Sequence, residues 1–186
     1  MCKAGQMPTL RIGPAVSAGD VQQLATVHVR AWRWAYRGLL PDGYLDSLSV
    51  HRRALAWQRL LDDEAIPAPY LAFWGSEAVG LVHAGTSRDV DASATTGEVT
   101  SIYLLPEYVG QGIGWRLWST ALDQLGASGH DSVTLWVLEA NDRGRRFYER
   151  AGLVADGAAK TPSLGDSGIT EVRYRGVFQH PHVHAR

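Results

Sequence analysis

The segment that most restricts the fold lies in the middle of the chain. Glu98 to Leu105 is an apolar run that reads as a strand, and Pro106 ends it. Pro106-Glu-Tyr-Val-Gly110-Gln-Gly112-Ile-Gly114-Trp-Arg116 follows and runs into a helix expected from about Gly112 to Ala127. Ser132 to Leu138 is then a second apolar strand. Two long strands joined by a crossover helix usually pair as parallel neighbours, because a right-handed crossover packs the helix back onto the sheet. Three glycines at alternate positions let the backbone turn its N–H groups toward one point. The helix behind them adds about half a positive charge at its N-terminus. The loop therefore reads as an anion site suited to phosphate, or, more plainly, as a tight turn alone.

The flanking sequence supplies the rest of a sheet. Leu10 and Ile12 start a short strand, and Ser17 or Asp20 caps a helix in which Val21, Leu24, Val27, His28, Ala31 and Ala35 recur at helical spacing. That helix should stop near Gly38. Pro41-Asp42 opens a short helix, and Val50 to Leu61 a longer one, with Leu55, Trp57 and Leu61 inward and Arg52, Arg53 and Arg59 outward. Tyr70 to Trp74 and Ala78 to Ala84 form a hairpin about Gly75-Ser76. Arg88 to Gly97 is polar and rich in small residues, which predicts a mobile loop. Asn141 to Ala151 is a helix closed by Gly152, and Leu153 onward and Thr170 to Phe178 are a final strand pair. The order predicts one mixed α/β domain over residues 1–186, ordered from about 9 to 178, with flexible ends at 1–8 and 179–186.

Composition narrows the function classes. The 186 residues are 45% hydrophobic and 20% charged, with a formal net charge of −1. That balance suits a globular chain and argues against nucleic acid or an anionic membrane as the main partner. A single cysteine, Cys2, excludes an intrachain disulfide and a multi-thiolate zinc site, so no metal is expected and a reducing cytoplasm is the default location. The first ten residues lack the apolar segment of a signal peptide, and no apolar run approaches the roughly 18 residues of a membrane helix. The His180-Pro-His182-Val-His184 tail reads as a polar end rather than a metal site.

Two phosphate-binding classes fit poorly. A Walker loop needs Lys and Ser/Thr after its last glycine, where Trp115 and Arg116 stand. A dinucleotide fingerprint from Gly112 needs Gly or Ala at 117, which is Leu117. A second block, Asn141-Asp-Arg-Gly-Arg-Arg-Phe147-Tyr148-Glu-Arg-Ala-Gly152-Leu153, places Asn141, Gly144 and Tyr148 on one helix face. Taken with the glycine loop, and with Ala31-Trp-Arg-Trp-Ala-Tyr-Arg-Gly-Leu-Leu-Pro41, this block resembles the GNAT superfamily of N-acetyltransferases over nearly the whole chain, in particular small bacterial members of unassigned substrate.

The resemblance implies a mixed sheet of about six to seven strands flanked by about four helices, with a splayed parallel strand pair holding the cofactor, acetyl-coenzyme A. It implies cofactor contacts at Ile102, Tyr103 and Leu104, at Val109, Gly110, Gln111, Gly112, Ile113, Gly114 and Trp115, and at Asn141. Arg116, Arg143, Arg145 and Arg146 are candidates for the cofactor's 3′-phosphate. Val109 departs from the Gln or Arg usual at the first loop position, although backbone amides need no particular side chain. Acetyl transfer to an amine of a small molecule or peptide, by direct attack in a ternary complex, would use Tyr148 as general acid and Glu98 as general base, with His83 competing. Trp32, Tyr36 and Tyr44 would wall the acceptor site. Cys2 is a poor nucleophile candidate near a frayed end. A non-catalytic acetyl-coenzyme A-binding domain is the alternative, and a homodimer is common among such proteins.

Overall fold

The computed structural model describes residues 9–161 and 168–178. Its elements run β1 (Leu10–Pro14), α1 (Ala18–Ala35), α2 (Asp42–Ser47), α3 (Val50–Leu61), β2 (Tyr70–Trp74), β3 (Glu77–Thr86), β4 (Thr96–Leu104), a 3-10 turn (Pro106–Tyr108), α4 (Ile113–Ala127), β5 (Ser132–Leu138), α5 (Asp142–Arg150), β6 (Val154–Lys160) and β7 (Glu171–Val177). The seven strands form one sheet in the order β1-β2-β3-β4-β5-β7-β6. Five α-helices flank it among the described residues, as the reading of the chain has them, against the about four that the resemblance implies. The flexible ends expected at 1–8 and 179–186, with Cys2 and the tail histidines, lie outside the described residues.

Local chemistry sets the boundaries. Ser17 and Asp20 both cap α1: the Ser17 hydroxyl accepts from the Asp20 N–H at 3.1 Å, while the Asp20 carboxylate accepts from the Ser17 N–H at 3.0 Å. Ser49 caps α3 by accepting from the Arg52 N–H. α3 departs from expectation at Leu55, while Trp57 and Leu61 pack inward as read. Val50, Ala54 and Trp57 pack inward, and Leu55 is exposed, since i, i+4 and i+7 form its buried stripe.

The helices lie on both faces of the sheet. Under α1 and α3, Val21, Leu24, Val27 and Trp57 meet Leu71, Phe73 and Leu81. Under α4, Ile113, Leu117, Trp118 and Leu125 meet Val79, Val82, Val99 and Leu135. Each such side chain, when fully buried, contributes roughly 1.5–3 kcal/mol before entropy is counted. Gly97 is required where α4 crosses, because a Cβ there would stand 2.5 Å from Leu125.

Two irregularities make room for a site. β4 and β5 are parallel but pair only at Thr96↔Ser132, Gly97↔Val133 and Glu98↔Thr134. Beyond Glu98 the two strands part, leaving the β5-facing edge of β4 without a strand partner. On the other edge of β4, His83 opposes Ser101 and Ala84 opposes Val99, so Thr100 is the extra residue of a bulge.

The expected loop Arg88 to Gly97 is shorter and anchored. Thr96 and Gly97 belong to β4. Arg173 of β7, itself buried, pairs with Asp91 at 2.6 and 2.7 Å, with Asp156 at 2.8 Å and with Asp89 at 3.2 Å. Asp89 also accepts from the Trp136 indole N–H at 3.0 Å. The loop's polar residues are thus partners for one arginine that is distant in sequence.

Candidate active site

The splay between β4 and β5 opens a cleft of about 490 Å³. The β4 edge lines it from Val99 to Leu104, the glycine loop by Val109, Gly110, Gly112, Gly114 and Trp115, and α5 by Asn141, Gly144 and Tyr148. A smaller pocket of about 180 Å³ holds Trp32, Tyr36, Arg88, Glu98, Trp136, Lys160 and Glu171. Cleft and pocket share Tyr36, Val99, Thr100, Tyr103, Trp136 and Val137, so they meet where the strands part.

The glycine loop opens its backbone toward the cleft. Gly110 and Gly112 have φ of +84° and +79°, and nothing stands within 4 Å of where a Cβ would be. Any L side chain there would be strained. Among the described residues, the N–H groups of positions 110 to 114 find no backbone acceptor, although those of Trp115 and Arg116 reach the Gly112 carbonyl. Five successive free amides at the start of a 15-residue helix form a nest for an anion. The side chains of Gln111 and Ile113 do not face the cleft. Gln111 donates to the Glu107 carbonyl at 2.9 Å, and Ile113 is buried in the core. Only their amides are available to a ligand. Val109, at the position usually Gln or Arg, is exposed on the cleft wall.

α5 is short and polar, and its start is held by a cap. The Asn141 side-chain oxygen accepts from the Gly144 N–H at 3.0 Å, so Asn141 caps α5 and faces the cleft at once. Gly144 permits this, since a Cβ would approach Asn141 at 2.8 Å and Val137 at 3.2 Å. Of the candidate phosphate-binding arginines, Arg143 and Arg146 line the cleft, and Arg150 joins them. Arg143 stacks on Trp34 at 3.9 Å. Arg116 is not on the cleft, and Arg145 is turned away, donating to the Tyr174 hydroxyl and the Glu139 carbonyl.

Tyr36, Tyr103 and Tyr148 gather at the junction. Burial raises the phenol pKa of all three, and the neighbouring phenols add to it at Tyr36 and Tyr148. Tyr148 packs on Trp118 and Phe147 and stays protonated through neutral pH, as a proton donor must.

Glu98 is buried, with its side chain only 4% exposed, and faces the pocket. Its carboxylate accepts from the Arg88 Nη2 at 2.7 Å, Nε at 3.1 Å and backbone N–H at 3.2 Å. The carboxylate expected to be the general base thus sits in a bidentate pair with Arg88. His83 is also off the pocket. It lies within the sheet against Trp57, with its ring bonded to Thr100 and to the Pro67 carbonyl. Tyr44 stands behind Trp32 at 6.4 Å and does not reach the cavity. Sequence reasoning missed Thr100, Trp136, Lys160 and Glu171. Glu171 pairs with Lys160 at 3.7 Å, Lys160 lies 3.8 Å over the Trp136 ring, and burial raises the Glu171 pKa. These four lie on β4, β5, β6 and β7, and a period-2 strand pattern does not say which face meets a cavity.

Comparison with known proteins places this geometry. The model of the family described as "Acetyltransferase (GNAT) family" matches residues 28–153. An uncharacterized N-acetyltransferase of Archaeoglobus fulgidus is 30% identical, over 75% of this chain and 89% of its own length. A spermidine N(1)-acetyltransferase of Thermoplasma acidophilum is 26% identical, over 74% of this chain and 84% of its own. Among solved structures, the PaiA N-acetyltransferase of Thermoplasma acidophilum in complex with coenzyme A superposes with a TM-score of 0.71 at 22% identity, covering 91% of this chain and 99% of that one.

Proposed function

The chain belongs to the acetyltransferase (GNAT) family, and from that premise we propose that it transfers an acetyl group to a primary amine of a small molecule or peptide by direct attack in a ternary complex. It is an acyltransferase, and acetyl-coenzyme A is the acetyl donor of its family. The observation that carries the reading is the junction of the two cavities, where a donor in the cleft and an amine in the pocket would meet at Thr100, Tyr103 and Trp136.

Bound in the cleft, acetyl-coenzyme A supplies an acetyl carbon activated by its bond to sulfur. The amides of residues 110 to 114 would hold the pyrophosphate, and Arg143, Arg146 and Arg150 would meet phosphate at the cleft mouth. The open edge of β4 at Ile102, Tyr103 and Leu104 offers backbone groups to the pantetheine arm. Tyr148 would donate a proton to the departing sulfur. In the pocket, Trp32, Tyr36 and Trp136 offer aromatic surface, and the Glu98 and Glu171 carboxylates stand beside their cationic partners. Such a lining suits an amine with an apolar or cationic body. The spermidine acetyltransferase relative makes a polyamine the natural first probe. The single cysteine fits a cytoplasmic setting.

The test is thermal unfolding with acetyl-coenzyme A, with ATP and NAD as controls, followed by thiol release with spermidine and tyramine. A selective rise in Tm with amine-dependent release supports transfer. No shift at millimolar donor would overturn the reading.

A further inference from the structure

The Thr100 hydroxyl stands 2.6 Å from His83 Nδ1, and His83 Nε2 stands 3.1 Å from the Pro67 carbonyl. A carbonyl only accepts, so Nε2 carries the ring proton. In a neutral ring Nδ1 is then bare, and it accepts from Thr100. Thr100 is the bulge residue of β4, and it lines both the cleft and the pocket. A bulge re-aims its side chain, which is how a residue lining both cavities also bonds a buried imidazole. We propose that Thr100 and His83 form a proton relay: Thr100 contacts the acceptor amine, and His83 takes the proton through it. The inference rests on the acetyl-transfer reading above.

The step balances. As the acceptor nitrogen bonds to the acetyl carbon and the carbon–sulfur bond breaks, the nitrogen gives one proton to Thr100 Oγ1. The hydroxyl proton of Thr100 passes to His83 Nδ1, and Tyr148 protonates the sulfur. The imidazolium then donates from both nitrogens, to Pro67 and to Thr100, so no donor is stranded. One proton returned from His83 to Tyr148 through solvent restores both groups. Charged neighbours of the ring are Arg88 and Glu98, which oppose one another, while burial dominates and lowers the His83 pKa. The ring is therefore neutral and ready to accept at pH 7. Glu98, held by three hydrogen bonds from Arg88, leaves this task to the relay.

Two measurements test it. Nitrogen NMR of the free enzyme at pH 7 should find His83 as the Nε2–H tautomer, with its Nδ1 signal displaced in Thr100→Val. An Nδ1–H tautomer or an imidazolium overturns the proposal. With spermidine and tyramine as acceptors, Thr100→Val should lower kcat about a hundredfold at unchanged KM for acetyl-coenzyme A, and Thr100→Ser should restore most of it. The rate should fall at acidic pH as His83 is protonated, with a midpoint below the ordinary imidazole value, and His83→Gln should remove that limb. If Thr100→Val turns over like wild type, or if Glu98→Gln removes the limb instead, the relay fails and acetyl transfer stands. If acetyl-coenzyme A gives no rise in Tm, both readings fall together.

Discussion

At the scale of single residues, protonation states carry most of the functional argument. Tyr148 keeps its proton because burial disfavours the phenolate. Tyr148→Phe should lower turnover by about a hundred- to ten-thousand-fold, while the acetyl-coenzyme A-induced rise in Tm stays near wild type. Unchanged turnover would remove Tyr148 from the mechanism. His28 offers a different readout. It is buried among Trp32, Trp57 and Tyr103, both ring nitrogens lack partners among the described residues, and burial lowers its pKa from 6.5 to about 3. Below pH 6.5 the unfolded chain binds a proton that the folded chain refuses. Stability is therefore complete above about pH 6.5 and is lost as pH falls toward 3, at about 1.4 kcal/mol per unit. Urea unfolding of wild type and His28→Leu from pH 7 to 4 should give a steeper loss for wild type. Parallel curves would mean that His28 is not held neutral.

At the scale of elements, one arginine joins segments that sequence separates. Arg173 ties β7 to the loop before β4 and to β6 through Asp91, Asp89 and Asp156. The same loop presents Arg88 to Glu98 and Asp89 to Trp136, so the smaller pocket inherits its shape from this anchor. Removing one partner of a buried pair strands the others. Arg173→Met should cost roughly 3 kcal/mol in urea unfolding, the low end for a buried pair because Asp91 remains half exposed. It should also expose the loop at 88–95 to proteolysis. A loss under about 1 kcal/mol with an intact loop would show that the strand ladder alone suffices.

At the scale of the molecule, the cleft crosses the place where the sheet is weakest. β4 and β5 are joined by three residue pairs and then separate, with α1 and α5 facing across the gap. A ligand spanning the gap stabilises the folded state without stabilising the unfolded one. At a hundred times its dissociation constant, acetyl-coenzyme A should add about 2.7 kcal/mol. Amide exchange should slow at residues 110 to 114, whose N–H groups lack backbone acceptors among the described residues. Gly112→Ala should weaken both effects and cost about 1–2 kcal/mol on its own, because φ is +79° there. Equal exchange rates with and without ligand would place the donor elsewhere.

The reach of the sequence follows from the range of each interaction. Helix starts, the hairpin at Gly75 and the whole of β5 were legible, because caps, turns and apolar periodicity act within a few residues. The parallel pairing of β4 and β5 was legible too, since crossover handedness leaves one arrangement. Glycine loop and Asn141–Tyr148 helix announced themselves, as both are local blocks. The acceptor side was not legible. A bulge at Thr100 decides which β4 residues face the cavity, and alternation cannot foresee it. Glu98 was readable as a strand-end carboxylate, but its partner Arg88 lay in a segment that looked mobile. Arg173 meets carboxylates 82 and 17 residues away, and Glu171 reaches the pocket only because β7 inserts between β5 and β6. Local pattern determined the elements and the glycine loop, and the resemblance carried by the motif blocks implied the family. Which buried charges pair, and which groups are left free to move a proton, was decided by tertiary packing, because ion pairing and burial depend on distance in space and not along the chain.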